Sequence, residues 1–137
     1  MENVIKWIAA IGGGIASFLF GGWDASLTAL VVFVTFDYIS GVLAAAKEGR
    51  LDSNVGFWGL ARKVMMFVLV AIAYQIDIKV SGGNYPVLRD GAALWFVANE
   101  GLSILENAKR LGVKIPPAVQ RALKNFQKGD KHGQGRN

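Results

Sequence analysis

Two carboxylates, Asp37 and Glu100, lie inside the stretches of this chain where an ionisable group is least expected. Asp37 falls within residues 25–46, which are otherwise apolar or small and contain no basic residue. Glu100 falls within residues 91–105, where one amide and one hydroxyl are the other strongly polar groups. A charged group at mid-bilayer costs about 2.5–3.5 kcal/mol on insertion scales, so it usually faces other helices or water. We therefore expect these carboxylates to mark helix contacts or a polar passage.

The residue pattern gives little support to catalysis or metal binding. The chain has no cysteine, which excludes disulfides and thiolate metal ligands. Its one histidine, His132, lies in a segment rich in Gly, Lys and Gln, where a solvated side chain is expected. The glycine run at residues 12–14 does not match the dinucleotide-binding fingerprint and has no βαβ context. We predict a protein that is not an enzyme and that needs no cofactor or metal.

Composition and charge distribution predict a helical membrane protein. Of the 137 residues, 53% are hydrophobic and 18% are charged, and the charged share is below the usual quarter. Charge is nearly absent from four blocks, and a helix needs about 20 residues to cross a bilayer. We predict an all-α membrane protein with three to four transmembrane helices, a short C-terminal amphipathic helix and a basic tail, assembling as a homo-oligomer. The four blocks are residues 4–20, 25–46, 60–78 and 91–105, with a transmembrane domain at 1–111 and the tail at 112–137.

Turn residues and charges separate the blocks. Two glycines before Asp24 predict a tight turn, and Asp24 or Ser26 is expected to cap the second block. Residues 47–63 are predicted to be a polar connection, and residues 80–90 a loop. Asp77 closes the third block, so we expect it at the level of the lipid headgroups.

The C-terminal segment is predicted to be polar and cationic. Eight of the fifteen basic residues lie after residue 108, and such a segment suits anionic lipid headgroups. It has few aromatic residues and no recognised module, so we predict no nucleic-acid partner. A proline at position 116 or 117 is expected to begin the amphipathic helix, and residues from 128 onward are expected to be disordered. The apolar side of that helix would carry Val119, Leu123 and Phe126.

Small residues predict close helix packing in the first two blocks. A small side chain recurs at every fourth position of block one, a spacing that lets helix backbones approach in lipid. In block two a carboxylate and a glycine share a face, where a hydrogen bond would seal a contact. Block one could span the bilayer or lie in its interface. The predicted oligomer-packing residues are Ala9, Gly13, Ser17, Gly21, Asp37 and Gly41.

Polar residues in and just after block four fall on one broad helical stripe, because they are spaced three and four apart. On a membrane helix such a stripe faces protein or water. Contact between helices and the lining of an aqueous lumen both fit, and both could occur in different states. The stripe comprises Asn99, Glu100, Ser103, Glu106 and Asn107.

Basic residues predict the orientation of the chain in the membrane. With four spans, thirteen of the fifteen basic residues lie on one side, and only Lys79 and Arg89 lie on the other. Basic residues accumulate on the cytoplasmic side. We therefore predict a multi-pass protein of the cytoplasmic membrane with both termini inside. If block one does not span, the C-terminus stays inside and the N-terminus lies outside.

Four motifs make the chain resemble the phage-lysis and toxin-secretion holin family, over about residues 19–117. Two of them are specific: the Asp-Tyr-x-x-Gly run that begins at Asp37, and the Asn-Glu-Gly-Leu-Ser-Ile-Leu-Glu-Asn run that begins at Asn99. The motifs are Leu19–Asp24, Phe36–Ala45, Gly56–Lys63 and Ala98–Ala108.

The resemblance implies a holin of the host bacterial inner membrane. Such proteins gather in the membrane and then open lesions at a set time. The lesions release a cell-wall hydrolase (endolysin) or a toxin without requiring direct contact with it, and the cell lyses. The alternatives are a small oligomeric ion channel or transporter subunit that uses Asp37 and Glu100, and a passive membrane adaptor.

Overall fold

Four helices make up most of the chain in the computed structural model, which describes residues 1–122 and 125. Over those residues the chain forms helices, turns and connections, without a strand. Three helices, α1 to α3, are long and apolar enough to cross a membrane. The all-α prediction is therefore confirmed. The helices are α1 (Glu2–Phe20), α2 (Ala25–Lys47), α3 (Ser53–Ser81) and α4 (Val87–Arg110).

Side-chain and glycine caps set the helix ends. Asp24 begins α2 by accepting a hydrogen bond from the Leu27 backbone nitrogen at 3.2 Å, as predicted. Asp52 caps the start of α3 in the same way, because its side chain accepts a hydrogen bond from the Asn54 backbone nitrogen at 2.8 Å. Gly21 ends α1 in the left-handed conformation (φ 75°), which glycine adopts without steric cost. These caps satisfy backbone groups that a helix end leaves unpaired.

Two predicted boundaries are wrong. Residues 47–63 are not a polar connection, because α3 begins at Ser53 and carries the charges of Arg62 and Lys63 on its third turn. The connection between α2 and α3 consists of residues 48–52. The predicted loop at residues 80–90 is also shorter, since α3 continues to Ser81 and α4 begins at Val87.

Helices α2 and α4 run parallel and pack side by side. At their N-terminal ends Ser26 Oγ donates to Asp90 Oδ1 at 3.1 Å. At their C-terminal ends Arg110 Nε donates to Glu48 Oε1 at 2.8 Å. An added Cβ on Gly101 would lie 3.2 Å from the Phe33 ring, so this glycine allows the close approach. Helix α3 runs antiparallel to α4 and completes the core, which is centred on Leu27, Leu30, Val70 and Ala93.

Helix α1 is covered only near its C-terminal end. None of its residues is buried, and a Cβ added to Gly13 would meet nothing within 4 Å. Gly21 follows the helix and lies against the Tyr74 ring of α3, so it does not extend the helical row of Ala9, Gly13 and Ser17. Most of α1 is thus free for contact with lipid or with another chain.

After α4 the chain turns at Gly112 (φ 89°), and Ile115 is buried against the bundle. Residues 117–122 are helical. Leu123, Phe126 and the segment from residue 128 onward lie outside the described residues, as does most of the predicted basic tail.

Candidate functional site

The two carboxylates singled out in the sequence, Asp37 and Glu100, meet at one ammonium group. Lys63 Nζ donates to Asp37 Oδ2 and to Glu100 Oε2, each at 2.5 Å. All three residues are buried: as whole residues, Asp37 is 9% exposed, Lys63 is 8% exposed and Glu100 is 4% exposed. One residue comes from each of α2, α3 and α4, so this charge cluster (Asp37, Lys63 and Glu100) joins the three helices.

Asn107 completes the hydrogen bonding on the α2 side of the charge cluster. Its Nδ2 donates to Asp37 Oδ1 at 3.1 Å and to Ser40 Oγ at 3.0 Å. Its Oδ1 accepts from Arg110 at 3.2 Å. Among the described residues, no buried side-chain nitrogen or oxygen lacks a partner. The packed arrangement therefore meets the requirement that buried polar groups be hydrogen-bonded.

The charge cluster contains two carboxyl groups and one ammonium group. With both carboxylates ionised, two negative charges face the single positive charge of Lys63. Burial of ions carries a desolvation cost of several kcal/mol each, which pairing only partly offsets. Hydration of the surplus charge would recover part of that cost, so the cluster favours water whenever the helices separate.

A cavity of about 410 Å³ opens beside the charge cluster, between α2, the start of α3 and the second half of α4. Three residues of the predicted polar stripe, Glu100, Ser103 and Asn107, line it. Asn99 is partly buried and Glu106 is exposed, and neither lines the cavity. The structure thus brings three members of the stripe to one polar space and leaves two outside it.

Asp37 and Gly41, which were predicted to pack between chains, lie in a helix contact within one chain. An added Cβ on Gly41 would lie 3.5 Å from Asn107 Nδ2, so the glycine face of α2 meets α4. Glu100 shares the cluster with Asp37. The sequence pattern does not identify Lys63 as a site residue, because residues 47–63 are predicted to be a polar connection. Its spacing within α3, ten residues after the Ser53 start, would have placed it inside the bilayer had the Asp52 cap been recognised.

A second set of buried charges ties the opposite ends of the helices together. Arg89 is 4% exposed, and it donates to the Phe20 carbonyl at 2.7 Å, to Asp90 at 2.8 Å and to Asp24. Burial acts to raise the pKa of Asp24, but hydrogen bonds from Ser26 and the α2 backbone, with the Arg89 charge, lower that pKa below its usual value. Arg89 therefore joins α4 to both ends of the α1–α2 turn.

Asp77 is buried rather than exposed at the headgroup level, so that prediction is wrong. Its two carboxylate oxygens accept from the backbone nitrogens of Leu88 and Arg89 at 3.1 and 2.9 Å. These nitrogens belong to the first turn of α4, where backbone donors lack intrahelical partners. Asp77 thus caps α4 from α3.

These features define the class of protein as a small helical membrane protein, with three helices long and apolar enough to span a bilayer and a charge cluster held between packed helices. The sequence profile of the bacteriophage holin family matches residues 14–128. The chain therefore belongs to the bacteriophage holin family, and it is a protein of the bacterial inner membrane.

Alignments with similar proteins cover most of the chain. The probable holin of Bacillus phage phi105 is 36% identical over 113 residues, which are 79% of this chain and 82% of that protein. An uncharacterised protein of Halalkalibacterium halodurans is 38% identical over 95% of this chain and 98% of its own length. One from Listeria monocytogenes is 40% identical over 92% of this chain and 89% of its own length. No solved structure matches the chain.

Proposed function

We propose that this chain is a holin that oligomerises in the cytoplasmic membrane and opens lesions that release a cell-wall hydrolase, causing timed lysis. The observation that carries this proposal is the family match over residues 14–128. The likeness to a probable phage holin supports the same role. The hydrolase would act as a functional partner and needs no direct contact.

Lesion formation requires many copies, because the four packed helices of one chain enclose no passage for a folded enzyme. Helix α1 supplies a surface for assembly, since its residues are largely uncovered. We propose that Ala9, Gly13 and Ser17 form a packing row against α1 of another copy. Small side chains at this spacing bring helix axes close together in lipid.

The charge cluster gives a physical reason for the chain to have a packed state and an open state. In the packed state Lys63 holds Asp37 and Glu100 between the helices. Once crowding separates helices of one chain in favour of contacts between chains, the polar stripe of α4 would face water. The stripe residues Glu100, Ser103 and Asn107 already share a cavity, so we propose that this face lines the lesion.

We propose four spans with both termini cytoplasmic. Helix α4 carries six charged residues and is not among the three helices apolar enough to cross alone. It nevertheless lies along the whole of α2, from the Ser26–Asp90 contact to the Glu48–Arg110 contact. Because most of its polar residues face other helices, α4 can cross together with α2.

The alternative function is an ion channel or transporter subunit with Asp37 and Glu100 as the ion site. The cavity that reaches both carboxylates favours this alternative. The position of Lys63 disfavours it, because its ammonium group already occupies the space between the two carboxylates. A cation would have to displace the Lys63 ammonium group, which is attached to α3.

Expression together with a cytoplasmic wall hydrolase tests the proposal. A holin gives an abrupt fall in culture turbidity at a set time, and only when both proteins are present. Selective ion flux without lysis would support the channel or transporter instead. Normal growth with correctly inserted protein would indicate an adaptor.

A further inference from the structure

We propose that the cavity beside the charge cluster binds the phosphate group of an anionic phospholipid, with Arg50 and Arg62 as its cationic partners. The site lies within the described helices and the short α2–α3 connection. It is therefore distinct from the general attraction of a basic tail to the membrane surface.

More basic residues line the cavity than bind to carboxylates in its wall. Four basic residues line it, and two of these are committed: Lys63 to the charge cluster and Arg110 to Glu48 at 2.8 Å. Arg62 makes no ion pair or hydrogen bond with any residue that the structure describes. The Arg50 side chain is 80% exposed, and it makes one long ion pair, 3.9 Å from its Nη1 to Glu48 Oε2. Two guanidinium groups are thus available to a ligand.

The carboxylates of the cavity wall do not compete for these two guanidinium groups. Asp37 and Glu100 both bind Lys63. Asp52 accepts a hydrogen bond from the first turn of α3. An arginine near lipid is stabilised by an anionic partner, and a phosphate diester accepts two parallel hydrogen bonds from one guanidinium. Charge and geometry therefore fit a phosphate.

The depth of the site fits the headgroup region. Phe57 and Trp58 on α3 are 63% and 59% exposed, and aromatic side chains of this kind collect at the membrane interface. Arg62 follows Trp58 by four residues, so it lies on the same face and about 6 Å deeper along the helix. An arginine at that depth extends its charged end back to the headgroups.

The cavity also has an apolar wall for the lipid chain. Val42, Val55 and Met66 line it next to the polar residues. A free phosphate ion would leave this wall uncovered, whereas a phospholipid would cover it with the start of an acyl chain. The combination of two guanidinium groups available to a ligand and an apolar wall favours a lipid as the source of the phosphate.

Native mass spectrometry of the full chain in detergent tests the site. Phosphatidylglycerol, which has one net negative charge, should remain bound to the wild type. Phosphatidylcholine should not, because its choline cation would face the two arginines. The double variant Arg50→Gln/Arg62→Gln should bind phosphatidylglycerol at least about tenfold more weakly, since each arginine near an anionic lipid contributes measurably.

Lys79→Gln is the matched control, because it removes one positive charge from an exposed position at the other end of α3. It should retain phosphatidylglycerol like the wild type. Equal retention by the wild type and the double variant would overturn the proposal, as would equal retention of the two lipids. Displacement of phosphatidylglycerol by millimolar inorganic phosphate would also overturn it, in favour of a site for the free ion.

Discussion

Lys63 Nζ lies 2.5 Å from Glu100 Oε2 across the interface of α3 and α4, and the two side chains are 9% and 5% exposed. With its second contact to Asp37, Lys63 compensates two carboxylates that would otherwise face each other in an apolar interior. The packed state of this holin-family chain should therefore depend on Lys63 more than on any exposed cation.

We expect Lys63→Met to destabilise the packed chain strongly. The substitution leaves two buried carboxylates without a counter-charge, and breaking a buried pair costs about 3–5 kcal/mol. The amount of inserted protein should fall, and the melting temperature in detergent should drop. Membrane fractionation and thermal unfolding measure both effects.

The triple variant Lys63→Met/Asp37→Asn/Glu100→Gln should recover much of that stability, because it removes the uncompensated charges together. Lys79→Met should leave stability unchanged, since Lys79 is exposed. If Lys63→Met proves as stable as Lys79→Met, the charge cluster does not hold the helices together.

We expect Glu100→Gln to delay or abolish lysis, and Asp37→Asn to have a milder effect. Glu100→Gln leaves a neutral Asp37–Lys63 pair, so opening no longer gains free energy from hydrating a surplus charge. Asp37→Asn also removes that charge, but Asp37 accepts from both Lys63 and Asn107. An asparagine turns its NH₂ toward one of these donors, a mismatch of about 1–3 kcal/mol that loosens packing and offsets part of the delay.

Timed lysis at matched membrane levels measures the difference between the two variants. Wild-type timing for Glu100→Gln would remove Glu100 from the opening step. A longer delay for Asp37→Asn than for Glu100→Gln would reverse the assignment of the two carboxylates.

Hydropathy and capping patterns predict much of this fold, because they depend on residues close in sequence. The second block, residues 25–46, agrees with α2 to within one residue at its C-terminus. Its Asp24 cap could be predicted from a single side chain before an apolar run. The start of α3 was missed, because the charges of Arg62 and Lys63 resemble those of a loop when each is considered alone.

The candidate site depends on contacts between helices, which a single sequence does not specify. Asp37 and Glu100 were predicted to be important because their burial is costly. Their shared partner lies 26 residues from one and 37 residues from the other, and no periodicity links them. Asp77 was misplaced for the same reason, since the backbone donors that bury it belong to α4.

We expect Gly13→Leu to reduce oligomers and to change the time of lysis. A leucine in the packing row would push apart helices that approach through small side chains. Gly13 has open space around it in the single chain, so the substitution should not disturb the fold of one copy. Cross-linking in membranes measures the oligomer distribution.

Gly14→Leu adds the same bulk on a neighbouring face of α1 and also lies in open space, so it is the matched control. It should leave the oligomer distribution closer to that of the wild type. An unchanged distribution and unchanged timing for Gly13→Leu would exclude the row as the contact surface.

We expect both termini to be cytoplasmic and the α3–α4 connection to be external. The chain has no cysteine, so a single Asn137→Cys or Asn84→Cys can be labelled uniquely. A membrane-impermeant thiol reagent added to intact cells should label Asn84→Cys and leave Asn137→Cys unlabelled until the cells are opened. Labelling of Asn137→Cys in intact cells would contradict the topology.

Simultaneous recording of membrane potential and culture turbidity, in cells that contain this chain and a cytoplasmic wall hydrolase, tests the central claim most directly. A lesion wide enough for a folded enzyme should collapse the potential and start lysis at nearly the same moment, after a period in which both are stable. Cells without the hydrolase should lose the potential at that time and keep their turbidity. A gradual loss of potential from the start of expression, with the hydrolase retained and turbidity steady, would contradict the claim and indicate a narrow ion pathway.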